Sequence, residues 1–279
     1  MNGKIGIFDS GLGGLVIARA IFKKLPAYDY IYLGDTKRLP YGNRSADEVY
    51  KFTRDAVMHL FERDCRLVIL ACNTSSALAL RKIQQEFLPK YYPDRRVLGV
   101  VIPTLESVFL PLPLGEGRGE GNKKLTKIGV IGTQATIGSH IYTKELMKID
   151  KKAKITELAT PKLVPLIEQN SLQKAENAVK LYLKPLQKQG IEALILGCTH
   201  YPILQTQIKK IVGKKIKVVS QTDFLPGKLK DYLKRHPEIN LKLTKHHQRQ
   251  FLVTAHKKGF DDVAKRLFGR KLKFRVVSL

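Results

Sequence analysis

Two short strings that recur at nearly one displacement constrain this chain more than any other feature. Lys4-Ile-Gly-Ile-Phe-Asp-Ser10 resembles Lys127-Ile-Gly-Val-Ile-Gly-Thr133, and Leu67-Val-Ile-Leu-Ala-Cys-Asn-Thr74 resembles Ala193-Leu-Ile-Leu-Gly-Cys-Thr-His200. The members of the first pair begin 123 residues apart and the two cysteines stand 126 apart. Separate similarities at nearly equal offsets point to one duplicated unit. Each copy would be an α/β lobe carrying one cysteine just past the carboxyl end of a strand, the edge at which open α/β sheets bind ligands.

The rest of the pattern agrees with this reading. Short β-branched runs occur at Lys4 to Phe8, Tyr30 to Leu33, Leu67 to Ala71, Val97 to Ile102, Lys127 to Ile131, Ala193 to Leu196, Lys217 to Val219 and Gln250 to Val253. Apolar runs this continuous predict strands covered on both faces, hence parallel sheets. Helical patterns lie between them at about Ser45 to Arg63, Ser75 to Phe87, Thr136 to Met147, Leu172 to Lys188 and Asp223 to Lys234. Strand and helix alternate almost throughout, as a doubly wound α/β fold requires. The glycine-rich segment Pro111 to Asn122 interrupts the alternation and reads as a flexible surface insertion.

At 279 residues and 43% hydrophobic content, the chain can bury the cores of two ordinary domains. No stretch reaches the roughly 20 apolar residues that span a bilayer, and the amino terminus is strand-like rather than signal-like, so the expected compartment is the cytoplasm. The cysteines, Cys65, Cys72 and Cys198, are too few and too scattered for a disulfide framework or a paired metal site. The net charge of +26 draws anions toward the surface. Nucleic acid and small carboxylates are both candidates. Residues 204–279 hold 20 Lys and Arg against 5 Asp and Glu, but these basic residues alternate with apolar ones as on a solvated helix face, which argues against a nucleic-acid function.

Asp9-Ser-Gly-Leu-Gly-Gly14 follows a strand and precedes an apolar run, so its amides could cradle an anion. A dinucleotide fits poorly, because the GxGxxG spacing is absent and Asp9 would face the pyrophosphate. An amino acid fits better, with Asp9 pairing its ammonium while amides and hydroxyls take its carboxylate. Cys72-Asn-Thr74 and Cys198-Thr-His200 each end a strand where a helix should open, and a helix N-terminus lowers a thiol below its ordinary pKa of about 8.5. A single cysteine in such a strand would read as a small buried hydrophobe. Two in matched positions read as a reactive pair, and Cys65 has no such neighbours. A Cys-His hydrolase needs one nucleophile, whereas inversion at carbon needs a base on one face and an acid on the other. Zinc is disfavoured by the spacing of Cys198, His200 and the His246-His247 pair, and no lysine stands in an evident pyridoxal-binding context.

Taken with Gly34-Asp-Thr36, Pro40-Tyr-Gly42 and Gly197-Cys-Thr-His-Tyr-Pro202, these strings resemble the glutamate racemases, from the first strand to the last helix. The resemblance implies two pseudo-symmetric doubly wound parallel-sheet lobes with the active site between them. The first lobe would hold residues 1–98 and 205–279, the second 99–204. It further implies Cys72 and Cys198 as acid/base catalysts, with Asp9, Ser10, Tyr41, Gly42, Asn73, Thr74, Thr199 and His200 contacting substrate or thiols, and Thr133 and Glu168 as additions. Racemisation of glutamate without cofactor or metal, a homodimer and a role in peptidoglycan synthesis are implied in the same way. A sibling racemase acting on aspartate would use the same two thiols. Two departures stand out: Thr160 precedes Pro161 where the family often has Cys, and Pro103-Thr104 stands where the family usually has Pro-Gly.

Overall fold

The apolar runs become strands because alternate side chains of each run enter different cores. A computed structural model of the chain describes residues 3–109 and 125–279. The segment Pro111 to Asn122, read above as a surface insertion, lies outside the described residues. Its strands are β1 (Lys4–Asp9), β2 (Tyr30–Gly34), β3 (Cys65–Leu70), β4 (Arg96–Gly99), β5 (Lys127–Gly132), β6 (Lys154–Ala159), β7 (Ala193–Gly197), β8 (Lys217–Val219), β9 (Arg249–Val253) and β10 (Arg275–Val276). They form two sheets, ordered β10-β9-β2-β1-β3-β4 and β6-β5-β7-β8, in which every strand pairing is parallel.

In β1, β3, β5 and β7 one set of side chains, including Ile5, Ile7, Leu67, Ile69, Ile128, Val130, Ala193 and Ile195, enters a single core shared by both sheets. The alternate set packs outward: Phe8, Val68 and Leu70 join one outer cluster, and Ile131, Leu194 and Leu196 join another. Helices in the shared layer, among them Gly14–Lys24, Val101–Phe109, Ile141–Ile149 and Gln221–Arg235, are thereby clamped between the sheets. The resulting two-lobed α/β fold is doubly wound and parallel, as the sequence indicated.

The orders β2-β1-β3-β4 and β6-β5-β7-β8 are equivalent, so the duplicated strings occupy matching central strands. In each sheet the chain moves to one side and then jumps back across the first strand. The crevice at that reversal lies between the carboxyl ends of β1 and β3, or of β5 and β7, where Asp9, Cys72, Thr133 and Cys198 were expected.

Three expectations need correction. The run Val97 to Ile102 is strand only as far as Gly99, and a helix starts at Val101; Pro103 sits in its first turn, where a missing N–H costs nothing. The chain does not return to the first lobe at residue 205. Ile208 and Val212 of the Gln205–Val212 helix pack with Leu194 and Leu196, and β8 pairs with β7, so the second sheet keeps the chain as far as Val219. The strand β6 was not foreseen. It is an edge strand whose residues are exposed or half-buried, and its sequence, KITELA, lacks a continuous apolar run.

Candidate active site

A cavity of about 70 Å³ opens between the facing sheet edges. Ser10, Tyr41, Gly42, Cys72, Asn73 and Thr74 line it from the first lobe, and Thr133, Cys198, Thr199 and His200 from the second. The two thiols, displaced by half a chain in sequence, therefore share one enclosure. Asp9 and Glu168 are not in the wall. Asp9 stands behind it, accepting from the Gly11 N–H (2.9 Å) and the Thr199 hydroxyl (3.1 Å), so its carboxylate is used within the protein rather than offered directly to an ammonium group. Glu168 reaches the site through His200.

The lobes meet closely because two glycines let them. A Cβ on Gly13 would overlap Thr199 and His200, and one on Gly42 would come within 2.7 Å of Thr133 Cβ. Gly42 belongs to a 3-10 turn, Tyr41–Asn43, that follows the cis Leu39–Pro40 peptide. Tyr41 contributes its ring to the wall, but its hydroxyl donates to Asp35 Oδ2 at 2.5 Å. Asp35 also receives the Thr254 hydroxyl at 2.7 Å, so the turn is tied to the end of β9. Across the seam the hydroxyls of Thr74, Thr133 and Thr136 stand 2.9–3.0 Å from one another, joining the two lobes beside the cavity.

The two cysteines have unequal surroundings. Cys72 caps the Asn73–Leu78 helix: its sulfur accepts from the Ser75 N–H and donates to Ser10 Oγ, both at 3.5 Å. Burial pushes its thiol pKa up, and the carboxylate of Asp9 adds to the rise, outweighing the donors that favour a thiolate. The expectation that a helix N-terminus would depress this thiol is thus corrected, since desolvation is the larger effect. Cys198 does not cap a helix at all. After β7 the chain makes a Tyr201–Leu204 3-10 turn, and His200 Nδ1 stands 3.8 Å from the sulfur.

The other imidazole nitrogen, Nε2, lies 3.1 Å from Glu168 Oε1. Burial would discharge His200, yet Cys198 and Glu168 on either side raise its pKa well above the ordinary value. An imidazolium held there is a positive charge beside one thiol only. Asp9 is also pushed up, by burial first, with His200 pulling in the opposite direction. Cys65, assigned no role, is buried away from the cavity and its thiol is driven up to about 12 by desolvation.

Sequence reasoning missed one wall. Thr160, Pro161, Val164 and Pro165 close the cavity from the second lobe. They follow the unforeseen β6, and the two prolines flanking a short apolar stretch were the available signal. Thr160, noted as a departure, is buried and donates to Gly132 O at 3.1 Å, with its hydroxyl also against that of Tyr201. Among the described residues no group of three or more His, Cys, Asp and Glu is placed to hold a metal ion.

Two like parallel lobes enclosing one thiol each define a class of protein, and the family model for Asp/Glu/hydantoin racemases matches residues 120–225. A glutamate racemase from Dinoroseobacter shibae is 36% identical over 276 residues, 98% of each chain. A glutamate racemase isoform from Bacillus anthracis superposes with a TM-score of 0.85 at 32% identity, covering 99% of this chain and 98% of that one. The Francisella tularensis glutamate racemase, solved with D-glutamate, gives the same TM-score at 30% identity and the same coverage. The chain belongs to the glutamate racemase family.

Proposed function

We propose that this chain interconverts L- and D-glutamate, with Cys72 and Cys198 as the paired acid and base and no cofactor. The single observation that carries the reading is the meeting of both thiols in one small interlobe cavity. A planar carbanion between two such groups can lose a proton on one face and gain one on the other. The imidazolium of His200 stands beside Cys198 alone, while burial and Asp9 favour the neutral thiol of Cys72. In the direction that starts from this state Cys72 is the acid and Cys198 is assigned the base.

By resemblance, the enantiomer deprotonated by Cys198 is L-glutamate. The product form carries the thiol on Cys198 and the thiolate on Cys72, and acts in reverse on D-glutamate. The Ser10, Thr74 and Thr133 hydroxyls and the Asn73 amide supply neutral donors for the carboxylates, and closure of the cavity strengthens each of them. Asp9 serves this reading through Thr199, and Glu168 through His200. The likeness to glutamate racemases also supports D-glutamate supply for peptidoglycan, a cytoplasmic location and a homodimer.

The decisive test is α-deuterium incorporation in heavy water from each pure enantiomer. Cys72→Ala and Cys198→Ala should each abolish racemisation, while the remaining thiol still exchanges the enantiomer it faces; Cys65→Ala should stay active. Full racemisation by either of the first two variants would disprove the two-thiol mechanism. Exchange of the opposite enantiomers would reverse only the assignment of faces. Parallel assays with aspartate separate the glutamate reading from that of a sibling racemase.

A further inference from the structure

Behind the cavity wall lies a buried polar network of which the mechanism above uses only the Asn73 amide. Asn73 Oδ1 accepts from the Tyr142 hydroxyl and from Gln221 Nε2, both at 2.7 Å, and Asn73 Nδ2 donates to Gln221 Oε1 at 3.1 Å. Gln221 Nε2 also points to Thr104 Oγ1 at 3.4 Å, and that hydroxyl donates to Val100 O at 2.6 Å. Asn73, Thr104, Tyr142 and Gln221 are all at most 3% exposed. They come from four helices: the one capped by Cys72, the two that begin where the chain passes from β4 to the second lobe and from β8 back to the first, and Ile141–Ile149.

We propose that Gln221 is a positioning residue for substrate, acting through Asn73. The two amides form a reciprocal pair, which fixes the plane and the direction of the Asn73 amide as a single hydrogen bond would not. Both acceptor sites of Oδ1 are filled from behind, and one Nδ2 hydrogen is committed to Gln221. The other has no protein partner among the described residues, and Asn73 lines the cavity. The amide is therefore locked as a donor toward a substrate carboxylate and prevented from flipping to present its oxygen.

Thr104 gives this lock its local support. Its hydroxyl is buried, donates to Val100 O and lies 3.4 Å from Gln221 Nε2. Because Gln221 and Thr104 sit at the start of the two interlobe passages, the network also ties the orientation of Asn73 to the relative placement of the lobes.

The proposal rests on the glutamate-racemising reading, and the experiment separates the two. Steady-state kinetics on both enantiomers are measured for the wild type, Gln221→Leu, Asn73→Ala and the double variant, with folding followed by circular dichroism and thermal denaturation. Gln221→Leu should raise KM for both enantiomers and lower kcat/KM by about tenfold or more, the scale on which a misplaced binding group acts. In the Asn73→Ala background it should add little, because its effect passes through Asn73. A merely structural role would instead lower Tm and the active fraction, leave KM alone, and add in full to Asn73→Ala. If Gln221→Leu does not fold, Gln221→Glu takes its place in the cycle: it keeps the size and one acceptor but sets an oxygen against Asn73 Oδ1, and the same loss is expected. Unchanged kcat/KM in either folded variant, or additive losses, overturns the proposal. A wild-type chain inactive on glutamate sinks the underlying reading, whereas an active wild type with an equally active Gln221→Leu sinks this one alone.

Discussion

Cys72 and Cys198 occupy matching positions of a duplicated unit, but the charges beside them have diverged. Burial, and after it Asp9, hold a proton on Cys72, while His200, buttressed by Glu168, places a cation beside Cys198. The sign of the pH dependence follows. His200 carries a pKa raised in the folded state, so its contribution to stability is complete below the ordinary histidine value of about 6.5 and is lost as pH rises through the raised value. The alkaline limb of kcat/KM should follow the same titration. Glu168→Gln removes one of the two groups that raise it, so the alkaline limb should move to lower pH, with kcat/KM near neutrality reduced. A pH–rate profile for wild type and Glu168→Gln checks this. Superimposable alkaline limbs would show that Glu168 does not set the charge of His200.

Elements placed by continuous apolar runs were largely legible because such runs suit a doubly buried strand: β1, β3, β5 and β7, with the site at their carboxyl ends, follow from Ile5 to Phe8, Leu67 to Leu70 and their repeats, whereas the run from Val97 crosses into a helix at Val101. What was not legible lacked that signal. β6 is an edge strand of mixed polarity, so the wall that follows it, from Thr160 to Pro165, was hidden with it. The sequence could place a thiol at a strand end but not weigh a helix terminus against desolvation, which decides Cys72. The charge partner of Cys198 was in plain view as His200, two residues on, yet only the fold brings Glu168 to its other side. Element packing also makes two contrasting predictions. Gly42→Ala pushes the Tyr41–Asn43 turn into Thr133 and should lower kcat/KM substantially with little change in Tm, as expected where a contact is tight only between the lobes. Ser45→Ala breaks the capping box that Ser45 forms with Glu48 at the start of the Ala46–Phe61 helix and should cost about 1 kcal/mol of stability while leaving kcat/KM unchanged. Chemical denaturation and steady-state kinetics on the two variants test the contrast, and equal losses of stability would contradict it.

Across the whole molecule the charge lies away from where the substrate would sit. The chain carries a net +26, yet among the described residues lining the cavity there is no Lys or Arg, and apart from His200 beside Cys198 the polar groups there are neutral hydroxyls and amides. A net anionic amino acid is thus attracted by the exterior and held within mainly by uncharged donors. These two roles respond differently to salt. Attraction between separated, solvated charges is screened over a Debye length of about 10 Å at 0.1 M ionic strength, whereas hydrogen bonds inside a closed cavity are screened much less. Raising ionic strength should therefore lower kcat/KM for both enantiomers by a common factor while kcat changes little, because capture is weakened and the chemistry of the bound state is not. The measurement is a salt series at fixed pH with two different chloride salts, so that a specific ion effect is told apart from screening. A flat kcat/KM across the series would remove any kinetic role for the basic exterior, and a fall in kcat of equal size would move the effect into the cavity itself.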